Sequence, residues 1–277
     1  MLGGIAGDII GSRFEHAQIK TKDFELFSRQ CTFTDDTVHT VAVADSLLTK
    51  TSYQANFLRY FEIYPNAGYG NRFRRWARSL RPVPYGSYGN GSAMRVSPIA
   101  WYYDSLDKVL EEALHSAEVT HNHPEGIKGA QAVAGAIYLA RTGAGKPIIR
   151  QFVEGRFGYD LSGSVAAIRA DYGFNVTCQG SVPQAIVAFL EAEGFEDAVR
   201  NAVSLGGDSD TLACIAGSVA EAYFGGVPEE ILAETVRTLD AKILKVIEKF
   251  LCHLPFKYDL RPAWKVLDAV KSGLVQP

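Results

Sequence analysis

The sequence predicts an all-α fold: a compact single domain, spanning residues 1–277, of roughly ten or more helices around a central cleft. Three observations carry this reading. Apolar residues recur at helical spacing almost everywhere along the chain, and helix starts are marked by capping residues and acids. Alternating strand patterns are nearly absent, the best candidate being the short run Gly173 to Cys178. No compositional shift divides the chain, and no repeat period or low-complexity run interrupts it.

Taken in order, Val38, Val41, Leu47 and Leu48 form one face of a helix opened by Asp36. Val109, Leu110, Leu114 and Ala117 place the next over about 106–120, with Ser105 as its cap. Ala132, Val133, Ala136, Ile137 and Ala140 define a third. Ile186, Val187 and Leu190 mark a helix begun by Ser181. Ala198, Ala202 and Leu205 follow, and then Leu212, Ile215, Val219 and Tyr223. A last apolar face runs through Ile231, Leu232, Val236, Leu239, Ile243, Val246 and Ile247. Pro228 opens it, with Glu229 and Glu230 in the first turn, where acids suit the helix dipole. Two stretches lack a clean period: 12–35, and 64–92, which is rich in Gly, Pro, Asn, Tyr and Arg. Long irregular loops in a compact helical domain are usually functional.

The chain has 277 residues, 47% of them hydrophobic and 21% charged, which excludes intrinsic disorder. A formal charge of −3 argues against nucleic-acid and anionic-membrane partners. Arg72, Arg74, Arg75, Arg78 and Arg81, interleaved with Phe73 and Trp76, are a local exception. Arg74 and Arg78 lie at helical spacing, so this run reads as a solvated face. The amino-terminal run is broken by Asp8, has no basic residue ahead of it, and matches neither a signal peptide nor a membrane span. The four cysteines are far apart and form no CxxC pair, which points to a reducing, cytoplasmic location.

Two segments stand out chemically: Thr34-Asp35-Asp36-Thr37, and Gly206-Gly207-Asp208-Ser209-Asp210-Thr211. Each sets carboxylates and hydroxyls at a helix start. One acid there is an ordinary cap, but each segment holds more acids than a cap can use. If the two starts meet, four carboxylates share one small volume, which is unfavourable unless protons or a cation neutralise them. Oxygen donors without a cysteine or an adjacent histidine suit a hard ion, Mg²⁺ or Mn²⁺, over Zn²⁺. The Gly-rich run Gly86-Ser87-Tyr88-Gly89-Asn90-Gly91, leading into an apparent helix from Ala93, reads either as a plain turn or as a phosphate cradle. Glu15 on its own is a surface acid, and His39 is either a packed helix histidine or a partner of the aspartates.

These motifs, in this order, resemble the ADP-ribosylglycohydrolase family, which includes ADP-ribosylarginine hydrolases and the dinitrogenase reductase-activating glycohydrolase. The matching residues are Gly4-Ile5-Ala6-Gly7-Asp8 with Gly11 and Glu15, then Thr34 to Thr37, Gly89 to Arg95, Thr120-His121-x-His123-Pro124, and Gly206 to Thr211. The resemblance implies two divalent cations, Mg²⁺ or Mn²⁺, in the cleft, with Thr34, Asp35, Asp36, Asp208, Asp210 and Thr211 as ligands. It implies that Glu15 lies at or near the metals, which requires residues 12–30 to fold over the cleft. It makes Gly86 to Gly91 the diphosphate and distal-ribose cradle, with Tyr88 as a stacking partner and His121 as a hydrogen-bond donor. The implied activity is hydrolysis of the glycosidic bond between ADP-ribose and its acceptor, with Asp36 and Glu15 as the candidates for proton transfer. The acceptor would be a protein side chain, arginine or serine first, or another ADP-ribosylated molecule, and the enzyme would act as a monomer. Two rival readings are a non-catalytic ADP-ribose-binding or structural protein on the same fold, and a metal-dependent phosphohydrolase of the diphosphate. The intact aspartates argue against the first and the motif set against the second.

Overall fold

The helix Ser209–Phe224 is buried from Ser209 to Ala222, and the rest of the molecule is arranged around it. Small residues (Ala213, Cys214, Ala216, Gly217, Ser218, Ala220) line it on all sides, so neighbouring helices approach closely all round. The computed structural model describes residues 1–254 and Lys265; the other residues of the domain expected over 1–277 lie outside the described ones.

Among the described residues there are fourteen α-helices. The first seven are α1 (Leu2–Ser12), α2 (Asp35–Thr49), α3 (Tyr53–Ile63), α4 (Asn71–Ala77), α5 (Ser97–Tyr102), α6 (Leu106–Glu118) and α7 (Pro124–Arg141). The others are α8 (Lys146–Phe157), α9 (Val165–Asp171), α10 (Cys178–Glu191), α11 (Phe195–Ser204), α12 (Ser209–Phe224), α13 (Glu229–Thr238) and α14 (Ala241–His253). The central α12 packs against α1, α7, α10 and α11, and its first turn also meets α2.

The most extensive pairing is α1 on α12. It rests on a stripe of glycines one turn apart. A Cβ on Gly3 would collide with the Gly217 carbonyl, one on Gly7 with the Ala213 carbonyl, and one on Gly11 with the Ser209 carbonyl. The two backbones therefore lie in contact, a separation that no side chain permits. This contact sets the end of α1 beside the start of α12.

Several local expectations change. Gly173 to Cys178 forms no strand; it contributes one isolated antiparallel bridge, Gly89 with Thr177. Thr177 instead caps α10, its Oγ1 accepting from Gly180 N at 3.1 Å, so that helix begins three residues before the expected Ser181. Ser181 lies inside it, donating back to the Asn175 carbonyl at 3.0 Å. The apolar face from Ile231 to Ile247 divides at Asp240, whose carboxylate caps α14 by accepting from Lys242 N (2.8 Å) and Ile243 N (3.0 Å). Ser105 precedes α6 but makes no side-chain cap bond. No α-helix starts at Ala93: a 3-10 turn occupies Asn90–Ser92 and α5 follows from Ser97. The helices α3, α4, α5, α8 and α9 were not placed by periodicity: α3, α4, α8 and α9 bury few residues, and α5 is six residues long and buried nearly all round, so none leaves a clear one-sided pattern. No helix among the described residues is long and apolar enough to cross a membrane.

Candidate active site

The two acid-bearing helix starts meet. Thr34 caps α2, its Oγ1 accepting from Asp36 N at 3.3 Å, and Asp35 and Asp36 occupy the first turn. Opposite them, Gly206 and Gly207 take φ of +73° and +77°, a left-handed pair that only glycine adopts freely, and the chain turns there into Asp208 and α12. Thr211 Oγ1 then donates to Asp36 Oδ2 at 3.2 Å, joining the two starts directly.

Beneath this junction lies Asp8, fully buried on α1. Its carboxylate accepts from Thr34 N (3.0 Å), Thr34 Oγ1 (2.7 Å), Thr37 N (3.0 Å) and Thr37 Oγ1 (2.5 Å). Asp8 thus anchors the start of α2 on α1, a role the sequence analysis did not assign although it quoted the residue. The available signal was a carboxylate inside an otherwise apolar helix. Thr34, expected as a ligand, is held beneath the site by Asp8 and Asp36 N, and it does not line the cavity.

Glu15 follows α1 by three residues, is half-buried, and turns in toward α12. One carboxylate oxygen from each of Glu15, Asp208 and Asp210 lies within 4.8 Å of the others. Its loop is tied down by Lys20, whose Nζ donates to the Tyr172 and Leu205 carbonyls at 2.5 Å each. Burial first and neighbouring carboxylates second raise the pKa of Glu15 and lift those of Asp35, Asp36 and Asp210 further above the ordinary range. Burial also raises Asp8 and Asp208, partly opposed by hydrogen bonds from Thr37 and Thr34 to Asp8 and from Asn90 to Asp208. Asp36 Oδ1 is buried with no hydrogen-bond partner among the described residues. An all-oxygen cluster with a high proton affinity and an orphaned buried carboxylate oxygen fits a hard cation.

The carboxylates line a cavity of about 340 Å³, with Gly68, Gly70, Asn71, Tyr85 and Arg95 on its other walls. The Gly-rich run reaches the carboxylates through Asn90, whose Nδ2 donates to Asp208 Oδ2 at 2.6 Å and to Ser181 Oγ at 3.0 Å. The run is irregular, Gly86 taking a left-handed φ of +62° and Asn90 opening the 3-10 turn. Tyr85, Ser87 and Gly89 line the cavity, whereas Gly86 and Tyr88 do not. Tyr88 is instead exposed against the His123 ring, at 5.2 Å between centroids, so Tyr85 takes the inward place expected of Tyr88. Four amides of the run already donate within the protein: Gly86 to Asn122 Oδ1, Ser87 to the Thr120 carbonyl, Gly89 to Ser87 Oγ, and Asn90 to the Val176 carbonyl. Gly91 and Gly89 leave His121 uncovered, since a Cβ there would sit 3.3 Å and 3.6 Å from its Nε2.

A hydrogen-bond relay fixes His121. Arg95 is fully buried over the Phe57 ring at 4.2 Å, and burial lowers its pKa to about 10, so it stays charged. Its Nη2 donates to the Ser116 carbonyl (2.7 Å) and to Thr120 Oγ1 (3.0 Å). Thr120 Oγ1 lies 2.7 Å from His121 Nδ1. Burial and then Arg95 hold the His121 pKa well below its usual value, so the ring is neutral. Thr120 Oγ1 accepts from Arg95 and still has a second lone pair and its own proton to offer Nδ1, so it can partner either neutral tautomer, while Nε2 faces the cavity. His123 caps α7 through Nδ1, and His39 packs edge-on to Phe57, Tyr69 and Phe73 as a helix histidine whose ring contributes to the cavity wall.

Comparison with known proteins agrees with this geometry. The family profile described as ADP-ribosylglycohydrolase matches residues 1–255. The chain belongs to the ADP-ribosylglycohydrolase family. Among its relatives, the ADP-ribosylhydrolase ARH3 of Danio rerio is 26% identical over 81% of this chain and 81% of its own length. The ADP-ribosylarginine hydrolase Tri1 of Pseudomonas putida is 25% identical over 83% of this chain and 71% of its own. A solved structure titled ADP-ribosylglycohydrolase-related protein complex shares the fold at a TM-score of 0.65 and 24% identity, covering 91% of this chain and 93% of that one. The family and its named relatives make the protein an ADP-ribosyl glycohydrolase that acts on ADP-ribose conjugates.

Proposed function

We propose that this enzyme holds two divalent cations, Mg²⁺ or Mn²⁺, and cleaves the bond between the proximal ribose of ADP-ribose and an arginine or serine side chain. The observation that carries the proposal is the convergence of one oxygen each from Glu15, Asp208 and Asp210 within 4.8 Å, together with a buried Asp36 oxygen that no group among the described residues satisfies. Asp35, Asp36, Asp208, Asp210 and Thr211 would hold the ions, with Glu15 at their edge and Thr34 supporting from beneath. When bound, the ions supply Lewis-acid polarisation and order the ribose hydroxyls and a water. Neither histidine joins them: His121 is committed to its relay and His39 to an aromatic shell.

The chain's own residues perform the remaining work. Tyr85, Ser87 and the uncovered Nε2 of His121 line the part of the cavity assigned to the diphosphate and distal ribose, and hydrogen bonding there fixes the ligand. Positive charge develops at the anomeric carbon as the glycosidic bond breaks, and the surrounding carboxylates stabilise it. Water adds to that carbon, its proton passes to a carboxylate, and the acceptor departs having gained a proton. Glu15 and Asp36 are the candidates for that transfer, and Glu15 is the better placed, being partly open to solvent with a raised pKa. With all four cysteines free, we place the enzyme in a reducing, cytoplasmic compartment, as a monomer.

The test is a panel of arginine- and serine-linked ADP-ribose conjugates analysed for product. Free ADP-ribose that disappears with EDTA and returns with Mg²⁺ or Mn²⁺ supports the proposal. AMP as the product reassigns the site to phosphohydrolysis, and no product at all makes it a binding protein.

A further inference from the structure

A second groove, of about 260 Å³, opens beside the catalytic cavity. Arg72, Arg75, Trp76, Arg81, Val83 and Tyr85 line it, and Arg72 and Tyr85 belong to both walls. Its charge follows from the sequence: residues 63–103 contain six arginines and no Asp, Glu or Lys, in a chain whose net charge is −3. Arg75 and Arg81 are exposed, and none of Arg72, Arg75 and Arg81 pairs with a carboxylate among the described residues. Arg72 donates to the Tyr85 carbonyl and lies over its ring at 5.1 Å, which leaves the rest of its guanidinium without a partner. Trp76 is 5% exposed, and its buried indole N–H finds no acceptor among the described residues. Exposed guanidinium groups without a carboxylate partner make a wall suited to carboxylates.

The position of the groove gives it a purpose. A Cβ on Gly68 would sit 3.3 Å from Asp35 Oδ1, so the segment entering α4 borders the carboxylate end of the cavity. Arg72 is the second residue of that helix. At the carboxylate end the acceptor must leave the ribose, so a chain attached to ADP-ribose passes the groove on its way out. Building on the hydrolase reading above, we propose that this groove is the acceptor subsite and that it takes acidic residues flanking the ADP-ribosylated side chain of a peptide. Single-stranded nucleic acid fits less well, because bases need open ring faces to stack on. Here Trp76 is buried and Tyr85 lies under Arg72. Val83, 67% exposed on the groove wall, and the fully exposed Leu80 nearby give a peptide backbone apolar contact instead.

The experiment compares the parent enzyme with the double variant Arg75→Glu/Arg81→Glu, whose changes are exposed and outside the catalytic cavity. Substrates are ADP-ribosylated peptides of equal length with Glu-rich or Gly/Ser flanks, and the single-residue conjugate. The parent should prefer Glu flanks by about tenfold in kcat/KM, a preference that fades at high salt. The double variant should lose or invert that preference while turning over the single-residue conjugate as before. Equal kcat/KM for the two flanks in the parent, or an unchanged preference in the variant, overturns the proposal. Fluorescence anisotropy of a labelled Glu-rich peptide lacking ADP-ribose decides the matter even if no conjugate is cleaved. Binding that the double variant abolishes supports the groove although the hydrolase reading has failed, and no binding to the parent rejects it. Tighter binding of a single-stranded oligonucleotide than of the peptide also overturns it.

Discussion

Glu15 shows how much one residue's meaning depends on its surroundings. In the sequence it is an acid in an irregular stretch; in the fold, the tight seating of α1 on α12 and the Lys20 anchor bring it against Asp208 and Asp210. Glu15→Gln keeps its size and hydrogen-bonding capacity but removes the proton acceptor. Turnover should fall by about a hundredfold or more, with a smaller effect on ADP-ribose affinity by calorimetry. A kcat within about threefold of the parent would leave Asp36 as the proton-transfer residue. Asp8 presents the complementary case, a carboxylate whose work is structural. Four donors from Thr34 and Thr37 converge on it, so Asp8→Asn sets an amide N–H₂ against groups that are already donors. The expected loss is about 2–4 kcal/mol in urea unfolding, together with displacement of the start of α2. Stability within about 0.5 kcal/mol of the parent would show that the anchor is dispensable.

Among the elements, the pairing of α1 with α12 decides where the site is. Gly7→Ala adds a Cβ inside the contact distance of the Ala213 carbonyl, where both partners are backbone and neither can move without its helix. A loss of about 3 kcal/mol or more is expected in thermal or urea unfolding, with activity falling further because Asp210 lies one turn before Ala213. Gly155→Ala, on the exposed side of α8 with open space around its Cβ position, is the control and should stabilise slightly. The long helices were legible in the sequence because each buries a broad stripe: the periodic residues of α2, α6, α7, α10, α11 and α12 are buried, except Leu48, Leu114 and Tyr223, which are partly exposed. The acid-rich starts of α2 and α12 were legible too, since their composition exceeds what capping needs. What escaped is the structure whose cause lies elsewhere in the chain. The strand-like Gly173 to Cys178 looked extended, but a threonine cap and a single bridge to Gly89 use it up. The inward place of Tyr85 instead of Tyr88 depends on the path of an irregular loop, with its left-handed Gly86 and the bridge from Gly89 to Thr177. Arg95 carried no sequence signal beyond the motif, because its role comes from Phe57, Ser116 and Thr120, each on a different element.

At the scale of the whole molecule, the fold gathers Asp8, Glu15, Asp35, Asp36, Asp208 and Asp210 from three helices and a loop, and each has a raised pKa with burial as the first cause. A carboxyl whose folded pKa exceeds its unfolded value of about 4 binds more protons in the native state than in the unfolded one. It therefore favours folding at low pH, and that contribution is lost as pH rises through the raised folded pKa. His39 and His121 act in the opposite sense, because burial lowers both: their contribution is present above about pH 6.5 and is lost as pH falls through their depressed folded pKa. One stability curve against pH mixes the two groups, but the difference between curves with and without a divalent cation isolates the carboxylates, since the histidines appear in both. A cation that binds only the native state adds about 2.7 kcal/mol at a hundred times its Kd. Protons compete for the same oxygens, so that gain must grow as they leave. The melting temperature in Mg²⁺ should exceed that in EDTA, by more at about pH 8 than at pH 5. In Asp210→Asn the separation of the two curves should shrink at every pH. Coincident curves in the parent would mean that the cluster binds no ion in the native state, and the carboxylates would then have to be held by shared protons alone.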